Sequence, residues 1–600
     1  MKKRGHGQLR GSQVVTTWGP GALIDLPKDS AIVGGLDTWP KTTSLEEVPE
    51  DRLARKLELL TGVANPKLFA PPVDSNDPAE DTRGIGAWRF PEWFVVQEPG
   101  VSSDERKGSR RLVHRKALDD KRRFEKHPVV ATRFVRACPR GHVDDVDWRT
   151  FVHGAKETCL RQLWLDERGT SGDLGELFVR CECGKSRGLL DATFWELNSL
   201  GTCNGARPWL GRVSNEVCTL PSRLLIRTAS NAYFPQVVSV LSLPDRDSAV
   251  EAAVRELKGD LSIVTNAAEL AFMKKKPHVL EKLEPFSDEE VLAAIRDLDA
   301  AGDGDRPVKQ VELEALLAVP EGFGDDVPID RNFHARRLPD RVWRRTSRSD
   351  GIEAVFQLHR LREVLALAGF TRFEAVTPDI QGDYETDVER AALAEEPRWF
   401  PAVENRGEGF FVQLRADAVK SWWKDRPSVQ ARLDNLCLGH QRWMEKHPKV
   451  QRNFPGGPYI LLHTLSHLLI QSVSMRCGYP ASSIRERIYA DYLSERFGIL
   501  LYTGTPDAEG TLGGLVQEAR NLEDHLAGAL RLGALCSNDP ICAQHAPGKN
   551  LEERWLQGAA CHGCTLLAET SCEMRNDYLD RALVVPVPGL TDAAFFPAVP

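Results

Sequence analysis

The spacing of hydrophobic and polar positions changes several times along this chain. Short apolar runs, typical of strands, occur in "ELFVRCECG" (176–184) and "GEGFFVQL" (407–414). A longer run, "YILLHTLSHLLIQSV" (459–473), predicts a strongly apolar helix. "SDEEVLAAIRDL" (287–298) opens with a serine followed by acidic residues, which marks the start of a helix. The patterns together predict a mixed α/β chain.

The first apolar segment, "SQVVTTWGPGALIDLP", lies close to the start of the chain. Val14 and Val15 lead into Gly19, Pro20 and Gly21. β-branched residues followed by glycine and proline are typical of a strand that ends in a turn. We therefore expect a strand over Val14 and Val15.

Shifts in composition divide the chain into four predicted segments. Residues 1–130 indicate an N-terminal α+β region, and 131–240 a cysteine-rich module of short strands that is similar to a zinc ribbon. Residues 241–400 indicate a mainly helical region. Residues 401–600 return to an α/β pattern and end in a further group of cysteines.

Composition excludes several classes of protein. The 600 residues are 42% hydrophobic and 27% charged, with a net charge of −8, so a whole-chain basic signature for nucleic acid is absent. No stretch approaches the ~20 apolar residues of a membrane span, and the basic N-terminus lacks the apolar run of a secretory signal. We expect a cytoplasmic protein without a membrane partner. Thiols stay reduced there, so the 13 cysteines favour metal binding over disulfides.

The strongest metal-binding pattern lies near the C-terminus. Cys561 and Cys564 form a Cys-x-x-Cys pair, and Cys536 and Cys542 supply a second pair. Four thiolates are the ligands of a closed, structural zinc site. His545, His562 and Cys572 are additional or competing candidates.

A second, less regular set of candidates lies between residues 138 and 218. Its spacing predicts one zinc site, but the choice of the four ligands stays open. The seven candidates are Cys138, His142, Cys159, Cys181, Cys183, Cys203 and Cys218. One or two structural Zn²⁺ ions are thus expected in all. The predicted fold is an α/β multidomain protein with a zinc-stapled β-rich module, a helical middle region and a C-terminal α/β domain closed by a four-cysteine zinc cluster.

Enzymatic patterns are weak by comparison. The sequence contains no G-x-x-x-x-G-K-[ST], so no ATPase of the P-loop class is indicated. His463 and His467 share one helical face but lack the glutamate of H-E-x-x-H, and their apolar neighbours favour locally hydrogen-bonded core histidines. Asp144, Asp145 and Asp147 are expected to be solvated loop carboxylates rather than ligands of a catalytic ion.

One basic segment with interleaved aromatics, residues 331–348, is a candidate nucleic-acid interface. Arginines can follow a phosphate backbone while rings stack on bases, although a solvated face or a protein contact would have the same composition. The candidate residues are Arg336, Arg337, Arg341, Trp343, Arg344 and Arg345.

Several longer segments of the chain together resemble one known family. These are "SQVVTTWGPGALIDLP", "CPRGHVDDVDW", "RTASNAYFPQVVSVLSLP", "HTLSHLLIQSV" and "LYTGTPDAEGTLGGL". They resemble the DrmB family of the bacterial DISARM anti-phage system, from residue 12 to about 585 and most densely from 459 onward. The C-terminal part is also similar to a zinc-associated domain that ends some superfamily 2 helicases. In those proteins a four-cysteine cluster matches Cys536, Cys542, Cys561 and Cys564.

The resemblance implies a non-catalytic protein that acts with DrmA, a helicase-like ATPase. Together the two proteins are expected to engage phage DNA, especially DNA with single-stranded ends. The family offers no catalytic residues to transfer and does not identify the ligands of the first cysteine set. The alternative is a metal-dependent nuclease or hydrolase that acts on nucleic acid through the 138–218 region or through His463 and His467.

Overall fold

The fold was analysed in a computed structural model of the chain. It describes residues 9–26, 29–72, 84–98, 108–154, 159–169, 172–194, 197–211, 214–243, 250, 253–254, 256–300, 306–324, 332–343, 346–384, 388–447, 452–504, 514–549 and 553–598. Helices and sheets both occur, as predicted for an α/β protein.

The two longest helices lie in the second half of the chain. They are α1 (Gly11–Thr16), α2 (Asp51–Thr61), α3 (Trp148–His153), α4 (Lys258–Leu261), α5 (Ala267–Met273), α6 (Pro277–Leu283), α7 (Asp288–Ala300), α8 (Val308–Leu317), α9 (Ala416–Asp425), α10 (Pro427–Lys446), α11 (Gly457–Cys477), α12 (Leu515–Glu518) and α13 (Leu522–Ala534).

The strands are short in the first half of the chain and long in the second. They are β1 (Leu23–Leu26), β2 (Asp29–Val33), β3 (Lys67–Phe69), β4 (Ala87–Arg89), β5 (Trp93–Val96), β6 (Ser109–His114), β7 (Arg123–Phe124), β8 (His127–Ala131), β9 (Phe134–Ala137), β10 (Val143–Asp144), β11 (Leu163–Glu167), β12 (Leu177–Cys181), β13 (Ser186–Gly188), β14 (Arg223–Ile226), β15 (Phe234–Leu241), β16 (His334–Arg337), β17 (Ile352–Thr371), β18 (Trp399–Leu414), β19 (Ile484–Asp491) and β20 (Arg496–Thr503).

The chain forms two compact units, and each contains more than one stretch of sequence. Unit 1 is Met1–Val238, Leu365–Val376 and Thr386–Val403, and unit 2 is Ser239–Val364, Thr377–Glu385 and Glu404–Pro600. The four segments proposed from composition stay a prediction.

Unit 1 is rich in small antiparallel sheets. Its largest sheet has the order β13-β12-β11-β6-β5-β8-β7, and two three-stranded sheets have the orders β1-β2-β4 and β10-β9-β14. Side chains of β6, β9, β11, β12 and α3 form a common hydrophobic core. The cysteine-rich part of the sequence therefore forms short strands and the loops between them.

The strand predicted over Val14 and Val15 is wrong. These two residues lie in α1, where both side chains are buried. The side chain of Gln13 accepts a hydrogen bond from the backbone N–H of Arg10 and helps to cap the helix. Burial of the two valines in tertiary structure outweighs their intrinsic preference for strands.

Unit 2 contains most of the helices and the larger parts of β17 and β18. The strands follow the order β15-β17-β18-β20-β19, and β16 pairs with β17. β20 pairs with β18 and β19 in antiparallel register. The strand predicted at 407–414 is confirmed as part of β18. A Cβ on Gly498 would clash with the ring of Phe411, so only glycine fits this close approach without movement.

The middle of the sequence is helical only in part. The predicted start of α7 is confirmed, because the Ser287 hydroxyl accepts a hydrogen bond from the Glu290 N–H while the Glu290 carboxylate accepts one from the Ser287 N–H. Residues 352–371, however, form β17 and not a helix. Nearly all of β17 is buried, so its apolar residues do not show the alternation of a half-exposed strand.

Helix α11 is the centre of unit 2. Of its 21 residues, 16 are buried, and it packs against α13, β19 and β20. A helix that is apolar on every side belongs inside a protein core or a bilayer. Among the residues described above, however, no helix combines the length and apolar character needed to cross a membrane.

Trp343 is fully buried in the same core, which has a direct consequence for stability. Replacing it with alanine removes a large buried side chain, and we expect Trp343→Ala to cost about 3–5 kcal/mol in the free energy of unfolding. The exposed neighbour Arg341 provides the control, and Arg341→Ala should change stability by about 0.5 kcal/mol or less. Denaturant titration followed by tryptophan fluorescence and circular dichroism measures both. Equal effects of the two changes would contradict the position of Trp343 in the core.

Candidate metal centres

Four cysteine side chains converge near the C-terminus, as the sequence predicts. Cys536, Cys542, Cys561 and Cys564 have all four sulfurs within 4.8 Å of one another. The Sγ atoms of Cys536 and Cys561 lie 3.5 Å apart, those of Cys561 and Cys564 3.7 Å, and those of Cys542 and Cys564 3.8 Å. Tetrahedral zinc with Zn–S bonds of about 2.3 Å places its sulfurs about 3.8 Å apart. The cluster has the dimensions of a closed zinc site.

Local backbone structure directs these thiols toward one point. Cys536 follows the last turn of α13, and the backbone N–H of Asn538 donates to its sulfur at 3.4 Å. The N–H of Cys561 donates to Cys564 Sγ at 3.2 Å. Backbone donors of this kind stabilise thiolates, which are the form that binds a metal.

Crowding of the thiols also changes their acidity. The hydrogen bond with the Cys542 thiol lowers the pKa of Cys564 to about 5. The same interaction, with burial, raises the pKa of Cys542 above its ordinary range. Burial raises the pKa of Cys536 to about 11. Cys564 is therefore the thiol most ready to bind a cation, and Cys536 and Cys542 would release protons when a cation binds.

The first cysteine set forms two groups rather than one. In the first group, Cys138, His142, Cys203 and Cys218 come together. His142 Nδ1 lies 3.3 Å from Cys138 Sγ and 3.6 Å from Cys203 Sγ. Its other ring nitrogen, Nε2, lies 2.8 Å from the carboxylate of Glu216. Histidines that bind metals commonly use their second nitrogen in this way, which fixes the ring and the tautomer.

The second group combines His153, Cys159, Cys181 and Cys183. His153 Nε2 lies 3.3 Å from Cys183 Sγ, and the sulfurs of Cys159 and Cys181 are 3.7 Å apart. His153 Nδ1 contacts the carbonyl oxygen of Arg149 at 2.9 Å, so this histidine also has an outer partner. Both groups thus offer three thiols and one imidazole to a single ion.

Sequence reasoning missed His153 and left Cys218 among the alternatives. The two groups are nested in the sequence, because the residues 153–183 lie between the two halves of the 138–218 group. Spacing alone cannot separate nested ligands. The signal that was available is the resemblance between "CPRGH" (138–142) and the segment 153–159, since each combines a cysteine and a histidine a few residues apart.

Only some of the described residues of the candidate nucleic-acid interface are accessible to solvent. Arg336 and Arg337 lie on β16, and Arg341 is exposed in the loop that follows it. Trp343 is buried in the core, so its indole is not available to stack on a base. The predicted sites Arg344 and Arg345 lie outside the described residues.

The aspartates considered for a catalytic ion already have structural partners. Asp144 pairs with Arg136 at 2.8 Å, and Asp147 caps α3. Asp145 accepts a hydrogen bond from the N–H of Glu92, and burial raises its pKa to about 7. Asp145 is thus not the solvated loop group that was expected, whereas Asp147 is exposed, and all three carboxylates have local structural partners.

Two known protein families match parts of the chain. Residues 10–234 match a family described as a domain of unknown function, DUF8724. Residues 465–565 match the MrfA Zn-binding domain, and this range contains all four C-terminal cysteines. Structural zinc is therefore a cofactor of this chain.

A protein of Bacillus paralicheniformis named "DISARM protein DrmB" is similar over most of the chain. The two are 31% identical over 467 residues, which cover 76% of this chain and 80% of the other protein. The chain belongs to the DrmB family. The resemblance noted in the sequence is confirmed, and it links this DrmB-family protein to the DISARM defence system.

Loss of one C-terminal thiol tests the four-cysteine cluster directly. We expect Cys561→Ser to lose about one zinc ion per chain and to lower the melting temperature, because metal-binding energy is also folding energy. Cys437→Ser is the matched control, since Cys437 lies on α10 outside the groups described above. Elemental analysis of purified protein measures the zinc. Unchanged zinc in Cys561→Ser would rule the cluster out.

A double substitution separates one site from two in unit 1. Cys203→Ser and Cys181→Ser should each remove about one zinc ion, and the double variant should remove about two. If all seven candidates served a single ion, the double variant would lose no more zinc than either single variant. The same elemental analysis, with Cys437→Ser alongside, distinguishes the two outcomes.

Proposed function

We propose that this chain is a non-catalytic component of the DISARM system that binds a helicase-like ATPase, DrmA-like, and helps it engage DNA with single-stranded ends. The observation that carries the proposal is the closed character of the thiol-rich groups. Each of the three supplies four protein ligands, whereas a hydrolytic metal centre keeps one coordination position for water. Such sites stabilise a scaffold and do not perform chemistry.

In this proposal three zinc ions stabilise the cytoplasmic protein. Two lie in unit 1, in the groups that contain Cys138 and Cys159, and one lies in unit 2 at the four-cysteine cluster. The histidine ligands of unit 1 have outer partners that hold the imidazole rings in place. Zinc would thereby fix loops that bury little apolar surface of their own.

The sequence contains no P-loop motif, and in this proposal ATP hydrolysis belongs to the partner. The similarity of residues 465–565 to the MrfA Zn-binding domain supports a shared structural element with helicase-type proteins. The alternative function, a metal-dependent nuclease, has less support. The aspartates that it would use at 144–147 are engaged in ion pairs, backbone hydrogen bonds and a helix cap.

Any direct DNA contact has to come from a local basic surface, because the net charge is −8. Arg336 and Arg337 are half-buried on β16, and Arg341 is exposed in the loop that follows it. Guanidinium groups at such positions can bind phosphates without reading sequence. We therefore assign this segment a role in holding the DNA backbone.

Co-purification from the native operon tests the assignment of the ATPase. With only this chain tagged, we expect a helicase-like protein to co-purify and the complex to hydrolyse ATP in the presence of single-stranded DNA. Substitution of the P-loop lysine in that partner should abolish hydrolysis while leaving the complex intact, because that lysine binds the phosphates.

The purified chain alone provides the control. It should neither hydrolyse ATP nor cleave DNA when Mg²⁺, Mn²⁺ or Zn²⁺ is added. Metal-dependent cleavage that persists in the lone chain and is lost when its metal ligands are replaced would establish the nuclease alternative.

Salt dependence tests the basic segment. Each phosphate contact with single-stranded DNA contributes about 0.7 to the slope of log K against log salt, so Arg337→Gln with Arg341→Gln should reduce the slope by about 1.4. Arg398→Gln with Arg496→Gln removes the same charge from other exposed positions and should leave the slope nearly unchanged. Fluorescence anisotropy with labelled single-stranded DNA gives both values, for the complex and for the lone chain. Equal slopes in the two double variants would remove this segment from the interface.

A further inference from the structure

A fourth group of metal-binding side chains lies inside unit 2 and shares no residue with the four-cysteine cluster. His463 and His467 face the same side of α11, Glu486 lies on β19, and Cys572 lies in the C-terminal loop. One ligand atom from each lies within 4.8 Å of the others. The side chains of the two histidines and of Glu486 have no exposed surface, and Cys572 is 9% exposed.

The spacing of these atoms suits a single ion. His463 Nε2 lies 3.1 Å from both Cys572 Sγ and Glu486 Oε1. His467 Nε2 lies 3.4 Å from Glu486 Oε1. For bonds of about 2.0–2.3 Å, a tetrahedral zinc ion places its ligand atoms about 3.3–3.6 Å apart. The histidine rings are nearly perpendicular, at 89°, so they approach the centre from different directions.

The hydrogen bond of His467 Nδ1 leaves the lone pair of its Nε2 atom facing the Glu486 carboxylate. His467 Nδ1 lies 2.9 Å from the carbonyl oxygen of Thr565, to which it can only donate a proton. In the neutral imidazole Nε2 is then an acceptor, and it has no hydrogen-bond partner among the described residues. It faces the Glu486 carboxylate, which is also an acceptor. A cation between the two atoms removes this conflict.

Cys572 and Glu486 also have hydrogen-bond partners outside the group. The backbone N–H groups of Met574 and Asn576 donate to Cys572 Sγ at 3.4 and 3.1 Å, and donors of this kind stabilise a metal-bound sulfur. The N–H of Glu573 donates to the Glu486 carboxylate at 3.1 Å, and the Ser466 hydroxyl is hydrogen-bonded to its other oxygen. These outer partners orient the carboxylate and the sulfur as second-shell groups do around bound metals.

We propose that His463, His467, Glu486 and Cys572 form a fourth, closed metal site that binds one Zn²⁺ ion. Two nitrogens, one oxygen and one sulfur are ligands that zinc accepts in tetrahedral geometry. Because all four positions are filled by protein and buried, the ion is structural and fixes the C-terminal loop to α11 and β19. His463 and Cys572 lie outside the range 465–565 that matches the MrfA Zn-binding domain, so this site is distinct from the four-cysteine cluster.

The competing occupant is a proton. A protonated His467 beside Glu486 would also remove the conflict between acceptors, as a buried ion pair. The two cases differ in what occupies the centre of the group. A metal ion scatters X-rays anomalously at its absorption edge and adds its mass to the folded chain, whereas a proton does neither.

The decisive measurement is anomalous diffraction at the zinc edge from crystals of the unsubstituted full chain. We expect a peak between His463 Nε2 and Cys572 Sγ, separate from any peak at the three thiol-rich groups. Because each site has its own peak, failure here and failure at the other groups are distinguishable. No peak in this position, with the side chains well ordered, would overturn the proposal.

Substitution provides a second measurement. Cys572→Ala should lower the zinc content found by native mass spectrometry by about one ion per chain, whereas Cys437→Ala should leave it unchanged. Equal zinc in the unsubstituted chain and in folded Cys572→Ala would overturn the proposal. If Cys572→Ala does not fold, the mass of the unsubstituted chain and the anomalous map still decide, because both use the natural protein.

Discussion

The structure of unit 2 depends on the burial of one helix that carries polar side chains. α11 is enclosed on nearly all sides, yet its buried residues include His463, Thr464, Ser466, His467 and Ser472. A buried polar group costs stability unless it is hydrogen-bonded or bound to a metal. Several of the partners come from one place, the C-terminal segment. The Thr464 hydroxyl accepts from the N–H of Asp580, and the amide of the neighbouring Gln471 donates to the carbonyl of Cys564.

The C-terminal segment that meets α11 has little regular structure of its own. Between Ala534 and the end of the described residues it contains turns and two short 3₁₀ helices. Buried charges within it are paired: Asp580 contacts Arg432 at 2.6 Å, and the Arg581 guanidinium donates to the carbonyl of Gly533 at 2.9 Å. Buried ion pairs define a position more than they add stability. Metal binding can stabilise the folded form of this C-terminal segment, because metal-binding energy is also folding energy.

A feature of the fold or of the metal groups could be predicted from the sequence when the residues that define it lie close together in the chain. The four C-terminal cysteines could be predicted because their pairs have metal-binding spacing. The two groups of unit 1 could not, because the residues from His153 to Cys183 are nested inside the set from Cys138 to Cys218, and only tertiary structure sorts them. β17 looked helical for a related reason. Its burial on both faces removes the alternation from which a strand is recognised.

Most of the thiol ligands lie outside regular secondary structure, and this bears on function. The sheets of unit 1 and the α11 core of unit 2 bury extensive apolar surface. The four-cysteine cluster and most of the thiols of unit 1 lie in the loops between these elements, whereas His153 ends α3 and Cys181 ends β12. A zinc ion with four protein ligands gives such a loop a fixed shape, which a binding surface requires. A catalytic zinc centre instead keeps one coordination position open for water. Loops of fixed shape are what the proposed scaffold role of this DrmB-family protein requires.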